Sequence, residues 1–450
     1  MSDGGEIAGQ EMSLRPVELA QSLIRFDTSN PPGNETQCVG YIDGLLRNAG
    51  FLTTLVARSP GRPNLITRLA GQGNAPPLLL YGHLDVVPAD PEEWRVPPFE
   101  GRIEGGFLWG RGALDMKGGI AMMLVALLRA KAEGLPLPGD VILALVSDEE
   151  AGGDDGAGYL VQHHSNLFEG VRFALGEFGG FSFALAGKRF YPIMVAEKQV
   201  CHLRMTVKGV EAHGSLGTKG GAMSSLARLL VKLERDRLPV HITPVARAMF
   251  QAVASRSPLP TKFALSRLLN PRLTRLVLKL MGANGQTFDP LLRNTVNATV
   301  VRGGQGVNMA PGRIELQLDG RLLPGFTPQD LINEVRHLVD DPALNDLVEM
   351  EVIRHDPGPT EPDMGLFETL AGVLRRLDPV GVPVPMLLPA STDSRFFSRL
   401  GIQTYGFLPM PLPEDLGFLR TVHGPDERIP LEALTFGADA IYQMLQEFHG

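Results

Sequence analysis

Apolar positions along the chain fall into two regimes. Near the start, Leu19, Leu23 and Ile24, and then Val39, Ile42, Leu45 and Leu46, recur at helical spacing. They predict two helices separated by a turn at Ser29-Asn30-Pro31-Pro32-Gly33. Short apolar runs follow: NLITRLA, PPLLLYGHLD, Val141 to Val146 and Phe173 to Leu175, with a long helix from about Gly119 to Gly134. Runs without alternation, such as PLLLYG and VILALV, fit strands covered on both faces. Strands alternating with helices predict an α/β layer with a mostly parallel sheet.

The second regime begins near residue 199. VCHLRMTVKG alternates like a half-exposed strand, SSLARLLVKLERDRL is an amphipathic helix, and GRIELQLDGRLLPG, TPQDLINEVRHLVDD and VEMEVIRHD continue as strand, helix and strand. This content predicts a smaller α+β domain at 199–357, inserted into an α/β domain formed by 1–198 and 358–450. Within the insert, about 240–295 is an extra helical segment. Its stretch TKFALSRLLNPRLTRLVLKLMG carries five basic residues and no acid. It reads either as a solvated helix pair lying on the small domain or as a helix that meets a membrane surface or a partner.

Composition narrows the classes. The net charge of −8 argues against an electrostatic nucleic-acid binder. Two cysteines, Cys38 and Cys201, leave no disulfide framework and no cysteine zinc site. The N-terminus lacks the pattern of a secretory signal, and no run approaches a membrane span, so a soluble cytoplasmic protein is expected.

Candidate chemistry lies where apolar strands stop. In YGHLDVVP, His83 and Asp85 share a face of extended chain. Asp85 could accept the Nδ1–H of His83 and leave Nε2 free for a metal; a hydrogen-bonded strand-end histidine is the plainer alternative. Asp115, before the long helix, could be an N-cap. In SDEEAGGDDG, Glu149 and Glu150 follow a strand directly, and adjacent carboxylates repel unless solvated or bridged by cations. Glu177 follows another short strand, and His423 sits in a loop before the last helix. As a set, these residues lie at the carboxyl edge of one α/β layer, where such sheets bind ligands. Two imidazoles and several carboxylates are ligands for zinc or a related ion. They are too many for one tetrahedral ion, and a shared Asp could bridge two. Two metals would polarise a carbonyl and generate hydroxide, with one glutamate left as general base. Asp148 is expected to be a loop residue, and Asp154 and Asp155 solvated.

GHLDVVP, GRGALDMKGG, SDEEAGG, GE and VHGPDE, in that order, resemble the M20 metallopeptidase group, which includes carboxypeptidases of the G and S types, aminoacylase-1, acetylornithine deacetylase and succinyl-diaminopimelate desuccinylase. The resemblance implies two Zn2+ per subunit, with Co2+ or Mn2+ as substitutes. His83, Asp115 and Glu177 would hold one ion and Asp115, Glu150 and His423 the other; Asp85 would orient His83, and Glu149 would be the general acid/base. It also implies a ferredoxin-like lid that forms a homodimer. In it, His213 of VKGVEAHGSLG would reach the partner's site, and Asn308 and Arg321 would bind substrate, helped by a loop around Ser391 to Asp393. The implied reaction is amide hydrolysis of N-acyl amino acids or of short peptides with a free carboxylate. The rivals are an aminopeptidase or dipeptidase of the same group, and an inactive binding homologue.

Overall fold

The computed structural model describes residues 15–216, 219–341 and 344–449. The N-terminal stretch read as lacking a signal lies, up to residue 14, outside the described residues. Two helices, Pro16–Ile24 and Thr36–Asn48, open the fold. They lead into a large mixed sheet whose strands run in the order Thr53–Ala57, Pro63–Leu69, Val141–Val146, Leu78–His83, Phe173–Gly176, Gln403–Gly406, Lys188–Glu197, Val382–Leu388. The four central strands, from Val141–Val146 to Gln403–Gly406, are parallel. Antiparallel pairing enters on both sides, with Pro63–Leu69 against Val141–Val146 and Lys188–Glu197 against Gln403–Gly406.

Every residue of Leu78–His83 and of Val141–Val146 is buried. Alternate side chains feed two cores. Leu78, Leu80, Leu143 and Leu145 join the helices Lys117–Ala132 and Leu431–Glu447 on one face. Leu79, Tyr81, Ile142 and Ala144 meet Leu160, Phe396 and Phe397 on the other. This two-sided cover explains the unbroken apolar runs.

A second sheet of four antiparallel strands runs Thr295–Gly303, Arg313–Leu322, Gln199–Lys208, Val348–Asp356. The helices Ala222–Arg235 and Pro328–Leu338 cover it, and it has its own core around Leu203, Met205, Leu316, Leu331 and Val335. The strand Arg313–Leu322 alternates buried positions with half-buried or exposed ones throughout, as a sheet packed mainly on one face requires.

The extra helices, Pro244–Arg256, Leu259–Leu268, Pro271–Leu280 and Ala283–Phe288, do not lie on the small sheet. Val245, Ala246, Met249, Phe250 and Val253 join the core of the large sheet, and Pro244–Arg256 packs on its edge strand Val382–Leu388. Amphipathic spacing shows that a helix has a face to bury, but not which sheet covers it.

Candidate active site

Parallel pairing sets the site. His83 ends the central strand Leu78–His83 and is in register with Val146, so Glu149 and Glu150 emerge three and four residues past the neighbouring strand's end. On the other side Phe173–Gly176 pairs with the same central strand, and Glu177 follows it. Three adjacent strand ends therefore deliver one imidazole and three carboxylates to one edge of the sheet.

Asp115 joins them from the loop before helix Lys117–Ala132. It is not the N-cap, because Met116 holds that position and no side chain caps the helix. Its carboxylate instead faces two imidazoles. Oδ1 is 3.0 Å from His83 Nε2 and Oδ2 is 3.1 Å from His423 Nε2. Glu177 Oε2 lies 3.3 Å from His83 Nε2, and Glu150 Oε2 lies 3.3 Å from His423 Nε2. Through these contacts Asp115 links His83 and Glu177 to His423 and Glu150, and ligand atoms of His83, Asp115 and Glu150 fall within 4.8 Å of one another. Ligand atoms of His83, Glu149 and Glu177 also fall within 4.8 Å of one another, so proximity alone does not set Glu149 apart from the ligands.

The loops carrying Asp115 and His423 are held by Glu427, which the sequence reading passed over. Its fully buried carboxylate accepts the N–H groups of Leu114 (2.7 Å) and Asp115 (3.1 Å) and an Arg111 guanidinium N–H (2.7 Å). Arg111 also donates to the His423 carbonyl at 3.1 Å.

Asp85 does not orient His83 through its side chain. His83 Nδ1 meets the Asp85 backbone carbonyl at 3.0 Å, while the nearest carboxylate oxygen is 3.7 Å away. That carboxylate is committed elsewhere: it accepts the backbone N–H groups of Glu149 and Glu150, each at 3.1 Å, and the Asn30 amide at 2.8 Å. Asp85 thus positions the two glutamates. Asp148 is no ordinary loop residue either. Buried, it accepts Arg62 at 2.7 Å, Asn30 at 3.3 Å and the Asp155 N–H at 3.0 Å, and Arg62 also pairs with buried Glu35 at 2.8 Å. The glycines of this loop are spatial requirements. A Cβ on Gly156 would stand 1.8 Å from the Ser147 carbonyl oxygen, and one on Gly153, at φ 74°, 2.6 Å from Asp393 Oδ1.

Crowded carboxylates shift one another. Burial, reinforced by Asp115 and opposed by His83, pushes Glu177 up to about 8. Burial and the charge of Glu177 lift Glu149 well above the usual carboxylate range. Burial would raise Asp115 too, but hydrogen bonds from His423 and His83 hold it low. His423 is raised to about 10 by its bonds to Asp115 and Glu150. Glu150 Oε1 is buried without a hydrogen-bond partner.

Behind Glu149 stands Arg395, also missed from sequence. Buried, it lies 3.8 Å from Glu149 Oε1 and donates to the Gly152 carbonyl at 2.8 Å. Asp393, two residues earlier, is buried with neither oxygen hydrogen-bonded, and its Oδ1 lies 4.0 Å from the Arg395 guanidinium. On the Asp115–Glu177 side the cleft wall is apolar. Leu114, Phe178, Phe181, Leu408, Met410 and Phe418 line it, with the Phe181 and Phe418 rings stacked at 4.0 Å.

The residues from the small-sheet side are placed differently. His213 and Asn308 come together on a two-stranded ribbon, Ala212–His213 against Met309–Ala310, where Gly214 N–H donates to the Asn308 carbonyl at 2.7 Å. His213 is exposed, and among the described residues its ring contacts only Ser215, at 2.7 Å from Oγ. Arg321 bonds Asp319 at 2.9 Å and the Ser391 hydroxyl at 2.7 Å, which ties the small sheet to the Ser391–Asp393 loop. None of the three touches the strand-end cluster in this chain, among the described residues.

Residues 79–447 match the description Peptidase family M20/M25/M40. The chain belongs to this family. The match starts inside the central strand and ends with the last residue of helix Leu431–Glu447, so every member of the strand-end cluster falls within it. The chain is 30% identical over 397 residues to "N-fatty-acyl-amino acid synthase/hydrolase PM20D1" of Mus musculus, covering 83% of this chain and 75% of that protein. It is 27% identical over 390 residues to "Probable carboxypeptidase S-like 2" of Dictyostelium discoideum, covering 82% and 71%. Among solved structures, the M20 family metallo-carboxypeptidase Sso-CP2 from Sulfolobus solfataricus superposes with a TM-score of 0.68 at 16% identity, covering 96% of this chain and 98% of that one. This likeness confirms the M20 fold. The chain is an M20-family hydrolase.

Proposed function

We propose that this hydrolase binds two divalent metal ions and cleaves the amide bond of N-acyl amino acids, or of short peptides with a free carboxylate. The observation that carries the reading is the bridging posture of Asp115, one carboxylate oxygen toward each of two imidazoles. The donor set fits the ions: nitrogen and carboxylate ligands suit zinc and its neighbours, and the orphaned Glu150 Oε1 lacks a partner that a cation would supply. His83, Asp115 and Glu177 would hold one ion and Asp115, Glu150 and His423 the other. When bound, such a pair supplies Lewis-acid polarisation of the scissile carbonyl and acidifies an attacking water.

The chain's own residues do the rest. Glu149 takes the proton of the water and returns it to the leaving amine, as a positioned general base does. The Asp85 carboxylate holds the Glu149–Glu150 backbone in place. Arg321, linked to Ser391 in the loop that carries Asp393, grips the substrate carboxylate with Asn308. His213, exposed on its ribbon, completes the site of a partner subunit by donating to the developing oxyanion. The named relatives, one acting on N-fatty-acyl amino acids and one carboxypeptidase S-like, support this substrate class.

A specific feature favours a second reading. Buried Asp393 could hold a free amine, as an aminopeptidase or dipeptidase requires. A substrate panel separates the two. With zinc, cobalt or manganese restored after chelation, N-acyl amino acids of increasing acyl length should turn over, and blocking their carboxylate as an amide should abolish turnover. Preference for dipeptides with a free amine over their N-acetyl forms would overturn the first reading.

A further inference from the structure

Residues 237–288 contain eight Lys or Arg and no Asp or Glu. At the chain's average of 50 acids in 450 residues, about six would be expected in such a stretch. The chain as a whole carries −8, so this is a concentrated reversal of its charge.

The structure sorts these residues by face. Helix Leu259–Leu268 buries Leu265 and Leu268 and turns Leu259, Lys262, Phe263 and Arg267 outward. Helix Pro271–Leu280 buries Thr274 and Leu278 and turns Arg272, Arg275, Leu276, Lys279 and Leu280 outward. The outward positions in each helix follow the i, i+3, i+4, i+7, i+8 spacing of a single face. Each face therefore presents two large apolar side chains one turn apart, flanked by cations. Leu259 is 80% exposed, Phe263 62%, Leu276 56% and Leu280 78%. Single exposed leucines are ordinary on protein surfaces; four on adjoining helices, set among basic groups, are not. None of the five basic side chains forms an ion pair among the described residues. Among the described residues their one ring contact is Arg267 over Phe263 at 4.7 Å.

We propose that this two-helix face docks the enzyme on an anionic membrane surface, with the four apolar side chains entering the headgroup boundary and the five cations meeting lipid phosphates. Two things on the surface select this occupant. A protein groove would need matching acids and a shaped partner, whereas an anionic bilayer satisfies scattered cations and scattered apolar side chains together. No helix among the described residues is long and apolar enough to cross a membrane, so the attachment is peripheral. Helix Pro244–Arg256 anchors the face to the edge of the large sheet.

Vesicle flotation of the full-length, metal-loaded enzyme tests this. Phosphatidylcholine vesicles containing 30% phosphatidylglycerol, as an order-of-magnitude anionic content for a PS- or PG-rich leaflet, should carry the protein up the gradient. Pure phosphatidylcholine should not, and half-molar salt should release it. Each cation removed should weaken binding about fivefold, so Arg272→Gln/Arg275→Gln/Lys279→Gln should lose roughly a hundredfold. Phe263→Ser/Leu276→Ser should also lose binding with all charges intact. Both variants change exposed side chains, so they should keep wild-type melting and wild-type hydrolysis of a water-soluble substrate. No flotation with anionic vesicles, or equal flotation with neutral ones, overturns the proposal. So does a self-associated wild type that Phe263→Ser/Leu276→Ser converts to a smaller species, since a second copy would then cover the face. Equally tight binding to duplex DNA that is indifferent to Phe263→Ser/Leu276→Ser overturns it as well.

Discussion

The strand-end cluster and the His213 ribbon both supply residues to the proposed reaction, but the chain builds them in opposite ways. His83, Asp115 and Glu177 are buried, and their backbones are fixed by parallel pairing and by the Glu427 carboxylate. Glu149 and Glu150 are pinned through their N–H groups to Asp85. His213 stands exposed on a two-residue pairing, with Ser215 as its one side-chain partner among the described residues. The first region is set before any ligand arrives. The second has few contacts of its own among the described residues. Preorganised groups serve charge that must be met at once.

Variants can break this contrast. The largest effect is expected for Asp115→Ala. It removes the oxygen pair that faces both imidazoles, so metal content measured on the purified protein should fall for both ions and turnover should reach background. Loss of one ion only, with activity retained, would show that Asp115 does not bridge. His213→Ala should keep its metals and lose about 10²–10³ in kcat, the cost of one oxyanion donor. Mixing it with Glu149→Ala should restore up to about a quarter of wild-type activity in random dimers, if His213 serves the neighbouring site. No restoration would confine His213 to its own chain. Asp85→Asn keeps the shape but weakens acceptance from two N–H groups. It should cost about 10–100-fold in activity or metal affinity, as for other partners behind a metal site. An effect confined to the pH response of His83 would instead revive direct orientation of the imidazole by the Asp85 carboxylate.

The sequence revealed the site wherever apolar strands end in acids. Val141 to Val146 needs no alternation to be read, because a strand buried on both faces has none, and Glu149 and Glu150 stand out against it. The positions of Asp115 and His423 were legible from their motifs. Their shared geometry was not, since they lie 308 residues apart. The same distance in sequence hid the supporting shell. Arg62 reaches Asp148 across 86 residues, Glu427 reaches Leu114 across 313, and Arg395 meets Glu149 from the far end of the chain. Buried charge pairs leave no periodic trace. Asp148 therefore read as a plain loop residue, whereas its carboxylate accepts from Arg62, Asn30 and the Asp155 N–H. The extra helices were legible as amphipathic. Their seat on the large sheet was not, because the pattern of a face does not name the surface that covers it.

In the proposed reaction two adjacent carboxylates divide the labour, Glu150 holding metal and Glu149 moving protons. One measurement addresses it most directly: metal content and turnover determined together on Glu149→Ala. The account predicts two ions per chain, as in the wild type, with kcat lower by about 10³–10⁴. Loss of an ion along with activity would make Glu149 a ligand, and near-normal turnover with both ions present would remove it from the chemistry.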